Sequence, residues 1–372
     1  MRDNWTETTL GQIAVFYNGK AYKQQQLLEE GKYRVLRVGN FFSNGNWYWS
    51  DLELDKNKYC DTGDLLYAWS ASFGPRIWSE EKVIYHYHIW KIEENLLKVE
   101  KKFLYFWLED DVQRMKRDAG TGSIMMHITK GDIEVRQINL PPIAEQKRIV
   151  DVVSSVDAYI DALQQHVAAA RAARKAVLHE LLSIGGNDWA ETTLGELCEI
   201  YQPETISKAQ MNDAAPYIVY GANGPVGHFS RFNHEEPEVV VTCRGATCGV
   251  VNMTPPNCWI TGNAMVVRPR DERSTKGFLF WALQTSVDVS ATISGSAQPQ
   301  ITRTGLAPSK IQVPPIAEQK RIVEIVSSIE DVIQATERAV VEAKNLRSGL
   351  LSDLLSGEHE IPVSYDELLG AA

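Results

Sequence analysis

The chain is short of cysteine, short of net positive charge and without a long apolar run. Its five cysteines among 372 residues are odd in number and irregularly spaced. That excludes a disulfide framework as the basis of the fold and fits a reducing compartment. No stretch reaches the roughly 18 consecutive apolar residues that a membrane span requires. The opening MRDNWTETTLGQ has no apolar signal-peptide core, so the expected location is cytoplasmic, without a membrane partner. Hydrophobic content of 44% and charged content of 23% describe a globular chain rather than a disordered one.

Signatures of chemistry are missing as well. There is no GxGxxG dinucleotide loop, no GxxxxGK[ST] phosphate loop, no HExxH, no Gly-x-Ser-x-Gly elbow and no Asn-Pro-Pro-aromatic methyltransferase motif. Neither a catalytic residue nor a cofactor is expected in this chain. Cys243, Cys248 and Cys258, with His228 and His234, include zinc-ligand types, but their spacing matches no known finger, and ordinary reduced cysteines are the better reading. His86 and His88 alternate in an expected strand and read as a polar surface pair.

The net charge of −10 argues at first against nucleic acid. Its distribution weakens that argument. Residues 13–140 carry 18 basic and 18 acidic side chains, and residues 198–313 carry 9 of each. The acid excess lies elsewhere, so a local basic face remains open in either segment.

What the chain does contain is a duplication. Pro-Pro-Ile-Ala-Glu-Gln-Lys-Arg-Ile-Val occurs at 141–150 and again, unchanged, at 314–323. Trp5-Thr-Glu-Thr-Thr-Leu-Gly11 returns as Trp189-Ala-Glu-Thr-Thr-Leu-Gly195. A repeat this long takes precedence over other signals. Thr9 with Gln12 and Thr193 with Glu196 fit a capping box, so each phrase starts a short helix. The long segments between these marks differ in sequence but share β-type runs, at Tyr33–Val38, Lys82–Trp90, Pro216–Tyr220, Glu238–Thr242 and Ala264–Arg268. Each also has a helical run, at Phe103–Leu108 and Phe278–Leu283, and glycine loops at 120–123, 221–224 and 294–296.

Behind each decapeptide the apolar positions alternate at intervals of four and three. The first series is Ile149, Val153, Val156, Ile160, Leu163, Val167, Ala170, Arg174, Val177 and Leu181. The second is Ile322, Val326, Ile329, Ile333, Thr336, Val340, Ala343, Arg347, Leu350 and Leu354, each 173 residues on. A 3.5-residue period over several heptads predicts a coiled coil. Pro142 and Pro315 suit first turns, and Gly185 and Gly357 suit stops. The expected fold is α+β: two similar domains, at 1–140 and 186–313, separated by two long helices, at 141–185 and 314–357. The helices form an antiparallel coiled coil related by an internal pseudo-twofold, and a tail follows at 358–372.

The variable segments hold recognition chemistry in their loops. Arg reads guanine, and Asn or Gln reads adenine, by paired hydrogen bonds in the major groove. Ser70, Ser72, Arg76, Lys130, Arg244, Gln298, Gln300 and Arg303 are the expected DNA-contacting residues, with Arg136 and Lys310 as further phosphate candidates, and a solvated surface side chain is the alternative for each. Glu145, Gln146, Ile149, Val153, Ile160, Leu163, Glu318, Gln319, Ile322, Val326, Ile333 and Leu350 are expected to join the helices or dock a partner.

The doubled proline–acid–glutamine helix start, the doubled opener, Gly63-Asp-Leu-Leu66, Tyr220-Gly-Ala-Asn-Gly-Pro-Val-Gly227 and Thr261-Gly-Asn-Ala-Met-Val-Val267 resemble the specificity subunits of Type I restriction–modification systems. The resemblance covers nearly the whole chain. It implies that each variable segment is a target recognition domain reading half of a bipartite, asymmetric DNA site. It also implies that the helices set the spacer and dock two methyltransferase subunits, with restriction subunits joining them. S-adenosylmethionine, ATP and Mg would belong to those partners. The competing readings are a coiled-coil scaffold presenting two protein-binding domains and an acidic DNA mimic. Balanced charge in both variable segments argues against the mimic.

Overall fold

The structure, a computed structural model, describes residues 4–368 apart from 43–44, 71–72, 119–126, 184, 187, 222 and 296–297. It divides into unit 1, residues 1–162 with 339–372, and unit 2, residues 163–338.

In unit 1 the chain runs through β1 (Thr6–Thr9), α1 (Leu10–Ile13), β2 (Ala14–Asn18), β3 (Tyr33–Leu36), α2 (Val38–Phe42), β4 (Tyr48–Ser50) and β5 (Tyr59–Cys60). It continues through β6 (Leu65–Ala68), β7 (Gly74–Ile77), β8 (Val83–Tyr85), β9 (Ile89–Glu94), α3 (Lys101–Asp118), α4 (Lys130–Glu134) and β10 (Gln137–Leu140) into α5 (Ile143–Ser183). One sheet has the order β2-β9-β6-β7 and a second β4-β3-β8-β5, while β1 pairs with β10.

In unit 2 the order is β11 (Ala190–Thr193), α6 (Leu194–Leu197), β12 (Cys198–Tyr201), β13 (Tyr217–Tyr220), β14 (Pro225–Phe229), β15 (Val239–Thr242), β16 (Val251–Met253), β17 (Trp259–Ile260) and β18 (Ala264–Pro269). Then come α7 (Lys276–Thr285), α8 (Arg303–Leu306), β19 (Lys310–Val313) and α9 (Ile316–Ser356), with α10 (Tyr365–Leu368) following in the tail that belongs to unit 1. Its sheets are β12-β18-β15-β16 and β14-β13-β17, with β11 paired to β19. The parallel pairing of β13 with β17 repeats that of β3 with β8. Two segments of different sequence therefore share one α+β core topology, with α2 and β5 present only in unit 1 among the described residues.

Each core lies between a four-stranded sheet, a recognition-segment helix and two long helices. In unit 1, Phe16, Trp90 and Ile92 of the sheet meet Phe103 and Leu104 of α3, Ile149 and Val153 of α5, and Leu351 and Leu354 of α9. In unit 2, Ile200, Val241 and Val267 meet Phe278 and Leu279 of α7, Leu178 and Leu182 of α5, and Ile322 and Val326 of α9. The start of one helix thus packs against the end of the other within each unit, which makes the pairing antiparallel.

The heptad positions behave as the spacing predicts. From Ile160 to Val177 the sheltered side chains are those of Ile160, Leu163, Val167, Ala170, Arg174 and Val177, and every residue between them is exposed. So narrow a stripe is that of a two-helix seam rather than of a helix lying on a globular core. The helices begin at Ile143 and Ile316, one residue later than the proline-led first turn predicts. The Pro142 and Pro315 carbonyls instead accept the first bonds, from the amides of Gln146 and Gln319 at 3.0 Å each. Gly357 ends α9 with φ +78°, a left-handed stop natural to glycine.

One expected strand is two. Residues 82–90 fold as β8 and β9, which belong to different sheets, with a turn at 86–88 between them. His86 and His88 are therefore not neighbours on one strand face. Their rings lie 4.9 Å apart across that turn. The loop at 120–123 lies outside the described residues.

Candidate nucleic-acid interface

The repeated phrases meet inside each unit and build a frame. β1, from the opener, pairs antiparallel with β10, which leads into the first decapeptide, and β11 pairs likewise with β19. The Trp5 indole N–H donates to Glu145 Oε2 at 3.2 Å. Gln146 is wholly buried. Its Nε2 donates to the carbonyls of Lys98, at 3.0 Å, and Pro141, at 2.8 Å. Its Oε1 accepts from the Glu100 amide at 2.8 Å. Glu100 in turn accepts the Phe103 amide near the start of α3, at 2.7 Å.

Gln319 repeats every step. It donates to the carbonyls of Arg273, at 2.7 Å, and Pro314, at 2.9 Å, and accepts from the Thr275 amide at 2.9 Å. Thr275 caps α7. Glu145, Gln146 and Gln319 are among the residues expected to join the helices or dock a partner. Glu145 is buried too, and all three are turned inward, binding the recognition segment to its helix. Glu318 is half-buried beside Arg321. Ile149, Val153, Ile160, Ile322, Val326 and Ile333 are buried, while Leu163 and Leu350 are half-buried.

The sequence-selected loops meet at equivalent places in the two units. In unit 2, Arg244 after β15 bridges Gln300, and Gln300 bridges Ser294. The backbones of Ser294 and Gln300 exchange two hydrogen bonds of 2.9 Å, and Ile301 N–H donates to Cys243 O at 3.0 Å. These bonds close the loop at its ends. Gly295 sits in it at φ +83°, where a Cβ would fall 2.7 Å from the Gln298 carbonyl, so only glycine fits. Arg244, Gln298, Gln300 and Arg303 are exposed along it. No side-chain ion pair or hydrogen bond holds Arg244 or Arg303 among the described residues.

In unit 1, Ser70 after β6 bridges His127 in the same way. The side chains there are different. Trp69 lies 4.7 Å from His127, 5.0 Å from His88 and 5.8 Å from Tyr87, ring to ring, and its indole N–H donates to the Tyr87 carbonyl at 2.8 Å. Ser72 lies outside the described residues.

Three of the expected cationic contacts already have partners within the chain. Arg76 is turned inward. Its guanidinium donates to the Phe41 carbonyl at 2.6 Å and stands 5.3 Å over the Trp78 ring. Arg136 pairs with Asp111 at 2.5 Å, and Lys310 with Glu191 at 2.8 Å. Lys130 is half-buried and lies 3.5 Å from Glu134, one helical turn away. Trp69, Tyr87 and His127 stand outside the residues the sequence points to, and His88 enters there only as half of a polar surface pair. The 173-residue offset was the available signal, because it places His127 opposite Gln300.

The cysteines are free, and burial pushes each thiol upward, so none is poised as a thiolate. Among the described residues no three His, Cys, Asp or Glu side chains converge as metal ligands.

Burial holds the His86 imidazole down at about 4, assisted by the charges of His88 and Arg37. The folded state therefore keeps this ring neutral, while the unfolded chain binds a proton below about 6.5. Its contribution to stability is present above that value and is lost as pH falls from about 6.5 to about 4. Denaturant unfolding across that window should show a shallower loss of stability for His86→Gln than for the parent chain. Parallel curves would rule out the depressed imidazole.

Comparison with known proteins agrees with this architecture. Residues 2–169 and 186–343 each match the family described as Type I restriction modification DNA specificity domain. The chain is 22% identical over 298 residues to a putative type I restriction enzyme MjaX specificity subunit of Methanocaldococcus jannaschii, covering 72% of this chain and 70% of that one. It is 20% identical over 346 residues to the MjaVIII specificity subunit of the same organism, covering 82% and 81%. The crystal structure of a Type I restriction–modification S subunit from M. genitalium has a similar fold, with a TM-score of 0.60 at 17% identity over 95% of this chain and 96% of that one.

Proposed function

Because the chain belongs to the family of Type I restriction–modification DNA specificity subunits, we propose that each unit reads one half of a bipartite, asymmetric site in double-stranded DNA. One observation carries the reading. The two units build the same loop junction on the same frame and arm it with different side chains. A shared backbone with different side chains is what two different half-sites require. In unit 2 the exposed Arg244, Gln298 and Gln300 have the donors and acceptors that read guanine and adenine, and the unpaired Arg303 suits a phosphate. In unit 1, Ser70 and His127 stand there beside Trp69, Tyr87 and His88, so the base preference differs.

The long helices set the spacing of the half-sites and carry two methyltransferase subunits, to which restriction subunits add. S-adenosylmethionine, ATP and Mg are bound by those partners, and the complex works in the cytoplasm. The test is to replace residues 198–313 with the corresponding segment of another family member, assemble the methyltransferase complex and sequence the modified bases. One half of the methylated motif should change, with the other half and the spacer retained. A change in both halves, or in neither, overturns the reading.

A further inference from the structure

The heptad seam carries an arginine in each helix, where an apolar residue would pack. Arg347 of α9 donates to Asp157 of α5 through Nε at 2.5 Å and through a terminal nitrogen at 3.0 Å. It also pairs with Glu109 of α3 at 2.9 Å and lies 5.4 Å over the Phe106 ring of the same helix. One side chain thus binds both long helices to the helix of the unit 1 recognition segment.

Arg174 of α5 does the same in unit 2. It pairs with Glu330 of α9 and lies 5.5 Å over the Trp281 ring of α7. The correspondence lacks only an acidic partner on α7, where Gln284 takes the place of Glu109: Arg347 and Glu330 follow Arg174 and Asp157 by 173 residues, and Phe106 and Trp281 hold the same place in the runs beginning at Phe103 and Phe278. The recognition segments differ at most other positions, yet both keep an aromatic ring there.

A polar residue in a coiled-coil seam costs stability and defines register. An arginine adds a planar face that stacks on an aromatic ring while its edge pairs with a carboxylate. Arg347 is only 15% exposed, so its charge is partly desolvated and depends on its acid partners. Arg171, by contrast, meets Glu337 in an ion pair that is 60% exposed on the arginine side and touches no recognition helix. Such a pair contributes little.

We propose that Arg174 and Arg347 are positioning residues for target spacing. Each locks the recognition segment of its unit to the helix pair, so that the complex accepts one separation between half-sites. The inference rests on the two-half-site reading above. It adds that strictness of spacing depends on two seam arginines that touch no DNA.

The test uses the full chain assembled with its methyltransferase subunits and a panel of DNA targets whose spacers differ by one base pair. Arg174→Glu places two carboxylates together. It should leave both half-site sequences unchanged while methylation at the neighbouring spacers rises roughly tenfold relative to the parental spacing. The double variant Arg174→Glu with Glu330→Arg restores opposite charges but not the stack on Trp281, and should restore strictness in part. Arg171→Glu should change nothing. Should Arg174→Glu fail to assemble, Arg347→Lys decides the matter, since it keeps the charge but loses the forked contact and the stacking. Assembled variants that keep the parental spacing preference overturn the inference. A parent complex with no two-part site overturns instead the reading on which it rests.

Discussion

Ile333→Asp and Ile160→Asp are expected to destabilise the protein by about 3 kcal/mol or more each. The two positions are equivalent in the repeat, with relative exposures of 2% and 6%. Both occupy the seam, flanked in the stripe by Val156 and Leu163 around Ile160 and by Ile329 and Thr336 around Ile333, and the Thr336 hydroxyl is already bonded to the Val332 carbonyl at 2.8 Å. An aspartate there must leave water without a partner or be protonated, and either state costs free energy. The loss should appear as a lowered denaturation midpoint, accompanied by poor assembly with the proposed methyltransferase partners. Asparagine at the same positions should cost less, because it carries no charge. Unchanged stability and normal assembly of both aspartate variants would refute the helix pairing itself.

Gln319→Leu and Gln146→Leu should show the second large effect, again about 3 kcal/mol each. Leucine roughly preserves the volume but removes three hydrogen bonds. In unit 2 it leaves the carbonyls of Arg273 and Pro314 and the Thr275 amide without this partner. In unit 1 the carbonyls of Lys98 and Pro141 and the Glu100 amide are left in the same state. Each leucine variant should loosen the cap of α7 or α3. Hydrogen exchange should therefore rise first at the start of those helices rather than along α9 or α5. Exchange that rises uniformly would show that the glutamine contributes only general stability. Glutamate at either site should be at least as damaging as leucine, since it cannot donate to the two carbonyls and would bury a charge.

Much of this architecture is legible in one dimension. The period of the seam from Ile149 to Leu181 is a property of spacing, so it survives without knowledge of any contact. The capping boxes at Thr9 and Thr193 are equally local. The division of residues 82–90 between two sheets is not, because apolar and aromatic residues continue through both β8 and β9. Only the pairing of β8 with β3 and of β9 with β2 and β6 reveals the break.

The loop junction proposed to meet DNA is half legible for a similar reason. Arg244, Gln298 and Gln300 stand near glycines in polar loops, and the fold brings those loops together. Arg76 stands in a loop of the same kind, but its partner is a carbonyl in α2, 35 residues away. The polar Gln146 and Gln319 look like surface residues in a helix start. They are buried because the loops before α3 and α7 present amides and carbonyls that require a side chain with both a donor and an acceptor.

The sequence by itself determined the duplication, the two long helices and the stripe along which they pair, because repeat and periodicity are written in residue order. Tertiary structure decided which polar side chains face solvent and which hold the frame. That choice depends on unpaired backbone groups delivered from distant segments, which no local pattern encodes. The seam arginines show both sides of the division. Their shared slot is visible in the heptads, but their hold on Phe106 and Trp281 exists only once α3 and α7 have packed against the helices.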